Sequence, residues 1–391
     1  MLKTIREIGV PFVALFFIYL LNPYGLNIYV GYLIAALILL QKSFLVKNVD
    51  AGFWLLFVFS VIYAAFFSFD PIAGKQYIVI YAVVPGSFYL LGKFFVRKFS
   101  QNTDKIFLIL LISSVVFSST GILSVGTVIS DSGFVEVDRN LPNFWTGQIT
   151  PATKMGAFFT LIMCIPALIL ARTVKVNLIA RIILLGLFAI SVLCVLRIGS
   201  RTQLGVFIIT FLVSLIYLIP RQKFKRNMVI FSLIFMSIFY VSTKVSFDLD
   251  QDWLAAYANR MEDSEDFASG GGRTDRWMKS MEYLFTKPLG WSEHEFGHAH
   301  NLWFDVLRIG GFISFFSLIF FTIYSFKTVF TAISKDKTKT SFNNQLIVYT
   351  IAFTLVFTVE PILEGTFDFF ALFCFFIGVV KKYSADNPVI E

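Results

Sequence analysis

The residues best suited to chemistry are basic side chains and histidines close to the ends of apolar stretches. Arg197 and Arg201 stand four residues apart in the segment RIGSRT. Arg273 and Arg276 stand three apart in GRTDRW, and Lys279 follows them. Guanidinium groups are permanently charged, and their planar fork of donors matches phosphate oxygens. Two such pairs on one side of a membrane predict a clamp for a diphosphate.

Each arginine pair also has a simpler interpretation. An arginine at the centre of a bilayer costs roughly 2.5 to 3.5 kcal/mol on insertion scales. Arg197 and Arg201 at a span end therefore indicate water or an anion nearby, but snorkelling to lipid phosphates meets the same need. For Arg273 and Arg276, the alternative is a solvated helix face. The residues alone leave both alternatives open.

The three histidines lie together in the segment HEFGHAHNLW, directly before an apolar stretch. An imidazole with a pKa near 6.5 can accept a proton from an attacking hydroxyl group, so His300 is the predicted catalytic base. Helical spacing places His300, Phe304 and Arg308 on one face and predicts an ion pair between Asp305 and Arg308. A purely structural interfacial histidine is the alternative.

Acidic residues near the histidines raise the question of a metal site. Zinc would need His294, His298 and His300 with Glu293 and Glu295, but no HExxH spacing is present and HAH places its histidines on different helical faces. The start of a calcium-loop pattern is formed by Asp248, Asp250 and Asp252. Trp253 stands where that loop needs glycine for its sharp turn. We therefore expect no metal.

A third group of charges lies in VEPILEGTFD, where Glu360, Glu364 and Asp368 follow at four-residue spacing. They are expected to balance the arginines or to contact sugar hydroxyls, and capping of the neighbouring helix ends is the alternative.

The composition of the chain sets the elements that must position these side chains. The 391 residues include 48 phenylalanines, 57% hydrophobic and 15% charged residues, with a formal charge of +8 and a mean hydropathy of +0.75. Soluble proteins carry about 25% charged residues. This composition excludes soluble, secreted, fibrous and disordered classes, and it predicts an all-α polytopic membrane protein.

Apolar stretches of roughly 17 to 25 residues, long enough to cross a bilayer, recur along the whole chain. They predict about twelve spans within a single integral membrane domain, residues 1–391. The predicted spans cover residues 7–21, 26–41, 52–69, 76–92, 105–123, 154–171, 178–196, 203–219, 228–243, 301–326, 344–360 and 366–380.

The positive-inside rule orients these spans. With the N-terminus inside, most lysines and arginines fall in cytoplasmic segments, including 221–226 and 335–339. Merging the first two spans would move these segments outside, which the rule disfavours. We therefore expect both termini in the cytoplasm and all the arginine and histidine motifs on the outer side.

One segment between the predicted spans 9 and 10, residues 244–299, is long enough to hold structure of its own. Gly272 and Pro288 bracket a predicted helix of about 13 residues, because glycine and proline commonly punctuate helix ends. Its apolar residues Trp277, Met281 and Leu284 recur on one face, as in an amphipathic helix lying on a membrane surface.

The order of these motifs resembles the O-antigen ligase and O-antigen polymerase superfamily. An SRT segment closes one outward turn, an outward loop carries GRTDRW, and HN begins the next span. The resemblance covers roughly residues 130–380 and is strongest over 197–205 and 269–311. It implies a GT-C-like fold in the bacterial inner membrane, with the active site on the outer face and an undecaprenyl-diphosphate-linked glycan as donor.

The resemblance also implies roles for individual residues. Arginines of the SRT turn and of the long loop hold the diphosphate, and the histidine of HN sits at the reacting centre. Carried over by position, the residues are Arg197 or Arg201, Arg273 or Arg276, and His300. Arg308 departs from the family pattern, since members often have an acidic or neutral residue there.

The expected chemistry needs no metal and no cofactor. Diphosphate is a stable leaving anion, so arginines that stabilise growing negative charge supply much of the barrier reduction. His300 accepts the proton of the attacking sugar hydroxyl. The residues expected to support it are Asn301, Asp305, Arg308 and His298. Aromatic rings that stack on sugars or form an interfacial belt are Phe144, Trp145, Trp291 and Trp303.

The predicted function is polymerisation of a surface polysaccharide from lipid-linked repeat units. A ligase that moves the glycan to a lipid A core is the alternative with the same donor site. A flippase or other transporter of lipid-linked glycans and a purely structural membrane protein are the alternatives from other classes. The expected partners are the lipid-linked donor, an acceptor glycan or glycolipid, membrane lipid and a chain-length regulator, without nucleic acid.

Overall fold

A computed structural model describes residues 9–69, 74–99, 102–134, 138–171, 177–246, 248, 251–262 and 272–386. These residues are almost all helical, and two short strands, β1 (Leu141–Pro142) and β2 (Ile149–Thr150), pair antiparallel. Within them, seven helices are long and apolar enough to cross a membrane, or eight when one bent pair counts as a single span. The chain is therefore an all-α polytopic membrane protein, and the count of twelve spans stays a prediction.

The helices before the strands occupy the predicted spans and one short connection. They are α1 (Val10–Leu21), α2 (Asn27–Leu39), α3 (Lys42–Asn48), α4 (Ala51–Phe67), α5 (Gln76–Lys98) and α6 (Thr103–Ser132). Those that follow in the middle of the chain are α7 (Ala152–Ala157), α8 (Ile165–Ile169), α9 (Leu178–Arg197), α10 (Arg201–Leu218) and α11 (Phe224–Lys244). The remaining helices are α12 (Ala255–Glu262), α13 (Arg273–Thr286), α14 (Leu302–Lys335), α15 (Thr340–Val359), α16 (Ile362–Gly365) and α17 (Phe367–Asp386).

The centre of the bundle is formed by α4, α5, α14 and α17, which pack side by side. Small residues let α5 and α17 approach closely, because a Cβ atom on Gly92 would overlap the carbonyl oxygen of Phe375. Close backbone approach through small residues is typical of helix contacts in membranes, where no hydrophobic effect drives association. Phenylalanine rings fill the space between helices, as between Phe16 and Phe375, whose ring centroids are 4.3 Å apart.

The predicted span 154–171 is not a continuous helix. It consists of α7, a 3₁₀ turn (Ile162–Cys164) and α8. Carbonyl oxygens that such a break releases need new donors at membrane depth. Ser118 donates to the carbonyl of Phe158 at 2.6 Å, and Ser214 and Asn344 donate to that of Ala167 at 2.9 and 3.0 Å. Side chains of neighbouring helices therefore supply donors to the carbonyl oxygens at this break.

The predicted span 301–326 is also interrupted, since α14 has a non-helical residue, Gly311, with φ 65° and ψ −171°. The indole of Trp303 donates to the hydroxyl of Thr322 at 3.1 Å. A straight helix would separate these residues by about 28 Å along its axis. Residues 302–310 therefore form a helical arm that folds back on residues 312–335.

The loop before α14 packs against the helix where it breaks at Gly311. The amide of Phe312 donates to the carbonyl of Pro288 at 2.7 Å, and the amide of Trp291 donates to the carbonyl of Arg308 at 3.0 Å. A Cβ atom at Gly311 would lie 2.7 Å from the carbonyl oxygen of Pro288, so only glycine fits there. The loop thereby holds the helical arm at a fixed angle.

The connections gather at two ends of the bundle. At one end, which we call the histidine end, contacts join residues 22–27, 138–150, 197–202, 288–301 and 358–368. Asn27 donates to Asp368, for example, and Thr202 to Glu360. At the other end, Lys93 forms an ion pair with Asp50 at 2.6 Å.

Candidate active site

Helix α13 presents a cationic face to the protein and an apolar face to its surroundings. It lies between Gly272 and Pro288, as expected, and its inner face carries Arg273, Arg276 and Trp277. The exposed apolar face carries Met278, Met281 and Phe285. Of the predicted stripe, Trp277 and Leu284 are half-buried and Met281 is exposed, because the stripe lies at the border between the inner face and the exposed face.

Two donors from α13 reach the loop that carries the histidines. Arg276 Nη1 donates to the carbonyl of His298 at 3.1 Å, and Trp277 Nε1 donates to the carbonyl of Ala299 at 2.9 Å. Both bonds bind the backbone rather than a side chain, so α13 determines where this loop runs.

The helical arm holds the same loop from the other side through Asp305. Its two carboxylate oxygens accept the amides of Ala299 at 2.8 Å and Asn301 at 3.1 Å. Through these two bonds, the buried Asp305 carboxylate positions the backbone on either side of His300. The predicted ion pair between Asp305 and Arg308 is wrong, because the carboxylate binds amides and Arg308 binds Glu364 instead.

His300 itself has a left-handed backbone with φ 53°. Among the described residues, positive φ at a residue other than glycine occurs at three positions: Asn22, Tyr24 and His300. Such a conformation costs of order 1–3 kcal/mol and persists where surrounding bonds enforce it. His300 precedes α14 and its N-cap Asn301, so it does not share a helical face with Phe304 and Arg308 as predicted.

The environment of the His300 ring keeps it uncharged. Burial and then the charges of Arg273, Arg276 and His298 lower the pKa of His300 to about 4. The ring is therefore neutral at pH 7 and able to accept a proton. Its Nδ1 atom is buried and has no hydrogen-bond partner among the residues that the structure describes.

Arg273 links three segments at the histidine end. Its Nη2 atom lies 3.9 Å from Glu360 Oε1, and the hydroxyl of Thr202 donates to the same oxygen at 3.2 Å. The Arg273 side chain retains 26% exposure. Arg201 begins α10 and immediately precedes Thr202. The structure thus brings Arg273, Arg276 and His300 together. Arg201 lies next to Thr202, which shares the Glu360 carboxylate with Arg273.

Arg197 has a different place from the other arginines. It is only 1% exposed, and its Nε and Nη1 atoms donate to the carbonyls of Gly133 at 3.0 Å and Asp138 at 3.1 Å. Arg139 makes the reciprocal connection by donating to the carbonyl of Ile198 at 2.8 Å. Arg197 therefore holds the loop before β1. No local pattern in the sequence distinguishes Arg139.

The residues that could hold a metal are Glu293, His298 and Glu364, whose ligand atoms lie within 4.8 Å of one another. His298 Nε2 lies 3.3 Å from Glu293, and Nδ1 lies 3.2 Å from Glu364. Arg308 Nη2 binds Glu364 and lies 3.3 Å from His298 Nδ1. A guanidinium cation therefore occupies the side from which a metal would bind both groups. The cluster fits an ion-pair network better than a metal centre.

Of the other residues weighed above as metal ligands, one is paired elsewhere and one lies outside the described residues. Glu295 forms an ion pair with Lys287. Asp248 and Asp252 are described, whereas Asp250 lies outside the described residues.

The three acidic residues of VEPILEGTFD have separate partners. Glu360 faces Arg273, and Glu364 binds Arg308. Burial raises the pKa of Glu364, which the charge of Arg308 opposes. Asp368 accepts both bonds of the Asn27 amide group, at 2.9 and 3.0 Å. Balancing of the arginines therefore applies to the first two residues.

The four predicted sugar-stacking aromatics divide into two groups. Trp291 is buried against Tyr283 at a centroid distance of 5.2 Å, and Trp303 is held by Thr322. Phe144 is 45% exposed and contacts Trp145 at the surface. Trp291 is therefore too buried to stack on a sugar, Phe144 is exposed, and Trp145 and Trp303 are half-buried.

Comparison of the chain with protein-family models and with curated proteins gives no match. The chemistry of the site is therefore argued from its geometry. A neutral base, two arginines beside it and a strained loop clamped from two helices form a site suited to an anionic leaving group and an attacking hydroxyl.

Proposed function

We propose that the protein is a metal-independent glycosyltransferase that polymerises lipid-linked glycan repeat units. The observation that carries the proposal is the neutral His300 imidazole, held in a strained conformation beside Arg273 and Arg276. Cations for a diphosphate and a base for a hydroxyl are the two groups that transfer from a glycosyl diphosphate requires.

In the proposed reaction, the acceptor hydroxyl oxygen attacks C1 of the donor sugar. The bond from C1 to the diphosphate oxygen breaks, and its electron pair leaves with the diphosphate. The hydroxyl proton passes to the His300 imidazole. Arg273 and Arg276 stabilise the charge that grows on the leaving group, since a charge pair at 4 Å is worth about 4 kcal/mol at an effective dielectric of 20.

The charges of Arg273 and Arg276 also make the pKa of His300 depend on whether the donor is bound. Without donor, their charges help to hold the pKa of His300 at about 4, where imidazole is a weak base. Negative charge from a bound diphosphate offsets these cations and therefore raises the pKa of His300. His300 is therefore a stronger base when the diphosphate is bound, which favours proton transfer from the acceptor hydroxyl over protonation of His300 in the empty site.

The arrangement of the connections supports a twelve-span, GT-C-like topology with this site on the outer face of a bacterial inner membrane. The segments that the positive-inside rule assigns to the outer side meet at the histidine end, as Thr202 and Glu360 do. Segments assigned to the cytoplasm meet at the other end, as Lys93 and Asp50 do. Both termini are cytoplasmic in this proposal.

The gathering of charges at one end of the bundle favours an enzyme over a flippase, which would need polar groups along a path through the membrane. The contacts of the donor site do not distinguish a polymerase from a ligase, since the two share this donor site and differ in the acceptor.

Deletion of the gene, followed by analysis of cell-surface glycans, tests this proposal. Loss of a polymerase leaves single repeat units on the acceptor, loss of a ligase leaves long chains on the lipid carrier, and loss of a flippase leaves units inside. Purified His300→Ala protein in lipid nanodiscs should lack transfer with extracted lipid-linked glycan. Transfer at the parental rate would remove His300 from the reaction.

A further inference from the structure

Three aromatic side chains form a surface cluster at the histidine end, away from His300 in sequence. Tyr24, in the turn between α1 and α2, lies with its ring centroid 6.2 Å from that of Trp145, and Phe144 lies 5.0 Å from Trp145. Tyr24 is 76% exposed and Phe144 is 45% exposed. We call Tyr24, Phe144 and Trp145 the aromatic patch.

The backbone under the aromatic patch is strained. Tyr24 has a positive φ of 53°, and Asn22 before it, with φ 47°, is the left-handed C-cap of α1. The third such residue in the described part of the chain is His300. Apart from helix C-caps, non-glycine residues with positive φ cluster at functional sites, where the surrounding structure enforces the strain.

Trp145 is fixed before any ligand arrives. Its Nε1 atom donates to the hydroxyl of Thr120 at 3.1 Å, and that hydroxyl donates to the carbonyl of Leu21 at 2.8 Å. The side chain of Asn143 accepts the amide of Trp145 at 2.9 Å. The indole therefore has one orientation, and little entropy is lost when a flat ligand stacks on it.

The loop that carries the aromatic patch is tied to the arginine motif. Arg197 donates to the carbonyl of Asp138, and Arg139 donates to the carbonyl of Ile198. Four residues after Arg197, α10 begins at Arg201, and the next residue, Thr202, contacts Glu360. The same short segment thus connects the aromatic loop to the corner that holds Arg273.

We propose that the aromatic patch is a binding site for the sugar rings of the acceptor glycan. The inference rests on the proposed function and names the acceptor side of that site. Pyranose rings present C–H faces that pack on aromatic rings, while their hydroxyls reach polar groups at the rim. The exposed residues Thr146 and Gln148 next to Trp145 offer such groups. Because Tyr24, Phe144 and Trp145 carry no charge, this subsite is distinct from the proposed diphosphate site at Arg273 and Arg276.

The test uses a probe that lacks the diphosphate. Repeat-unit oligosaccharide is released by mild acid from the lipid-linked glycan of cells without the gene, and it is titrated by saturation-transfer NMR against the protein in lipid nanodiscs. Trp145→Ala should weaken binding about tenfold, the size expected for one aromatic contact. Trp145→Phe should retain most of the affinity, and Tyr24→Ala should weaken it severalfold. Trp54→Ala, at another exposed tryptophan, should bind like the parent.

The outcomes separate this inference from the proposed function. His300→Ala should bind the oligosaccharide normally and fail to transfer glycan. Unchanged binding by Trp145→Ala, equal weakening by Trp54→Ala, or no binding by the parent protein would each overturn the patch as an acceptor site, whatever His300→Ala does. Normal transfer by His300→Ala would overturn the proposed function instead. Thermal unfolding of each variant shows whether it is folded.

Discussion

Replacement of Asp305 by asparagine should slow glycan transfer about 10- to 100-fold while the protein stays folded. Asp305 accepts the two amides that flank His300, at 2.8 and 3.1 Å. Asparagine has one carbonyl oxygen, so one amide loses its acceptor and faces an NH₂ group instead. The perturbation acts on the loop and leaves the imidazole and the arginines chemically unchanged.

The magnitude follows from the bonds that oppose the strain. A hydrogen bond to a charged group contributes about 1.5–3 kcal/mol, and the left-handed conformation of His300 costs about 1–3 kcal/mol. Loss of about 2 kcal/mol therefore removes most of what holds the loop against its strain. At 1.36 kcal/mol for each factor of ten, the population with His300 in position falls about 30-fold.

Single-turnover transfer in nanodiscs, measured across pH, is the appropriate assay. An imidazole that leaves its buried position regains a pKa closer to 6.5, so the acid limb of kcat/KM should move upward from about pH 4. Donor affinity should change less than threefold, because Arg273 and Arg276 remain, a bound that corresponds to about 0.6 kcal/mol.

Asp275→Asn supplies the matched control, since Asp275 is exposed in the first turn of α13. It should transfer at the parental rate. Parental turnover and an unmoved acid limb in Asp305→Asn, or an equal loss in Asp275→Asn, would refute the positioning role of Asp305.

Three further predictions concern the arginines, the break in α14 and acid stability. Arg273→Ala should weaken binding of the lipid-linked donor about 10- to 100-fold and leave thermal stability normal. Arg197→Ala should instead lower thermal stability, because two backbone carbonyls lose their donor. Equal effects of the two variants on donor affinity would contradict this division of roles. Gly311→Ala should lower the unfolding temperature by several degrees, since φ is 65° and a carbonyl lies 2.7 Å from the new Cβ, while Gly126→Ala, which meets nothing within 4 Å, should not. Because the folded-state pKa of His300 is about 4 and the unfolded value is near 6.5, the unfolded chain binds more protons between these values. Stability therefore falls as pH falls through this window, by about 1–2 kcal/mol after screening, and His300→Gln should remove that part of the loss in pH-dependent thermal unfolding.

Side-chain partners could not be predicted from spacing along one helix. Asp305 and Arg308 have the spacing of an ion pair, yet Arg308 binds Glu364, 56 positions away. The helical arm turns back at Gly311, which places its charged face against α16 instead of along a straight helix. Sequence spacing assumes a regular helix and one face, and a backbone break invalidates both assumptions.

Arg197 shows the same limit for motif residues. RIGSRT suggested two equivalent arginines for a diphosphate, but Arg197 is turned into the protein and holds the carbonyl of Asp138. Its role depends on where a loop about 60 residues earlier returns to the bundle. Tyr24 was likewise invisible as part of a site, because its neighbour Trp145 is far along the chain.

The sequence by itself determined the all-α membrane class, the helix between Gly272 and Pro288, and the concentration of arginines and histidines near span ends. These properties depend on apolar length, helix-breaking residues and charge, which are quantities written locally along the chain. Only the tertiary structure decided that Arg273, Arg276 and His300 meet, that Asp305 clamps the histidine loop, and that Arg308 belongs to Glu364. Such contacts join residues from separate helices, and their pairing is selected by packing and by the need of each buried charge or amide for a partner.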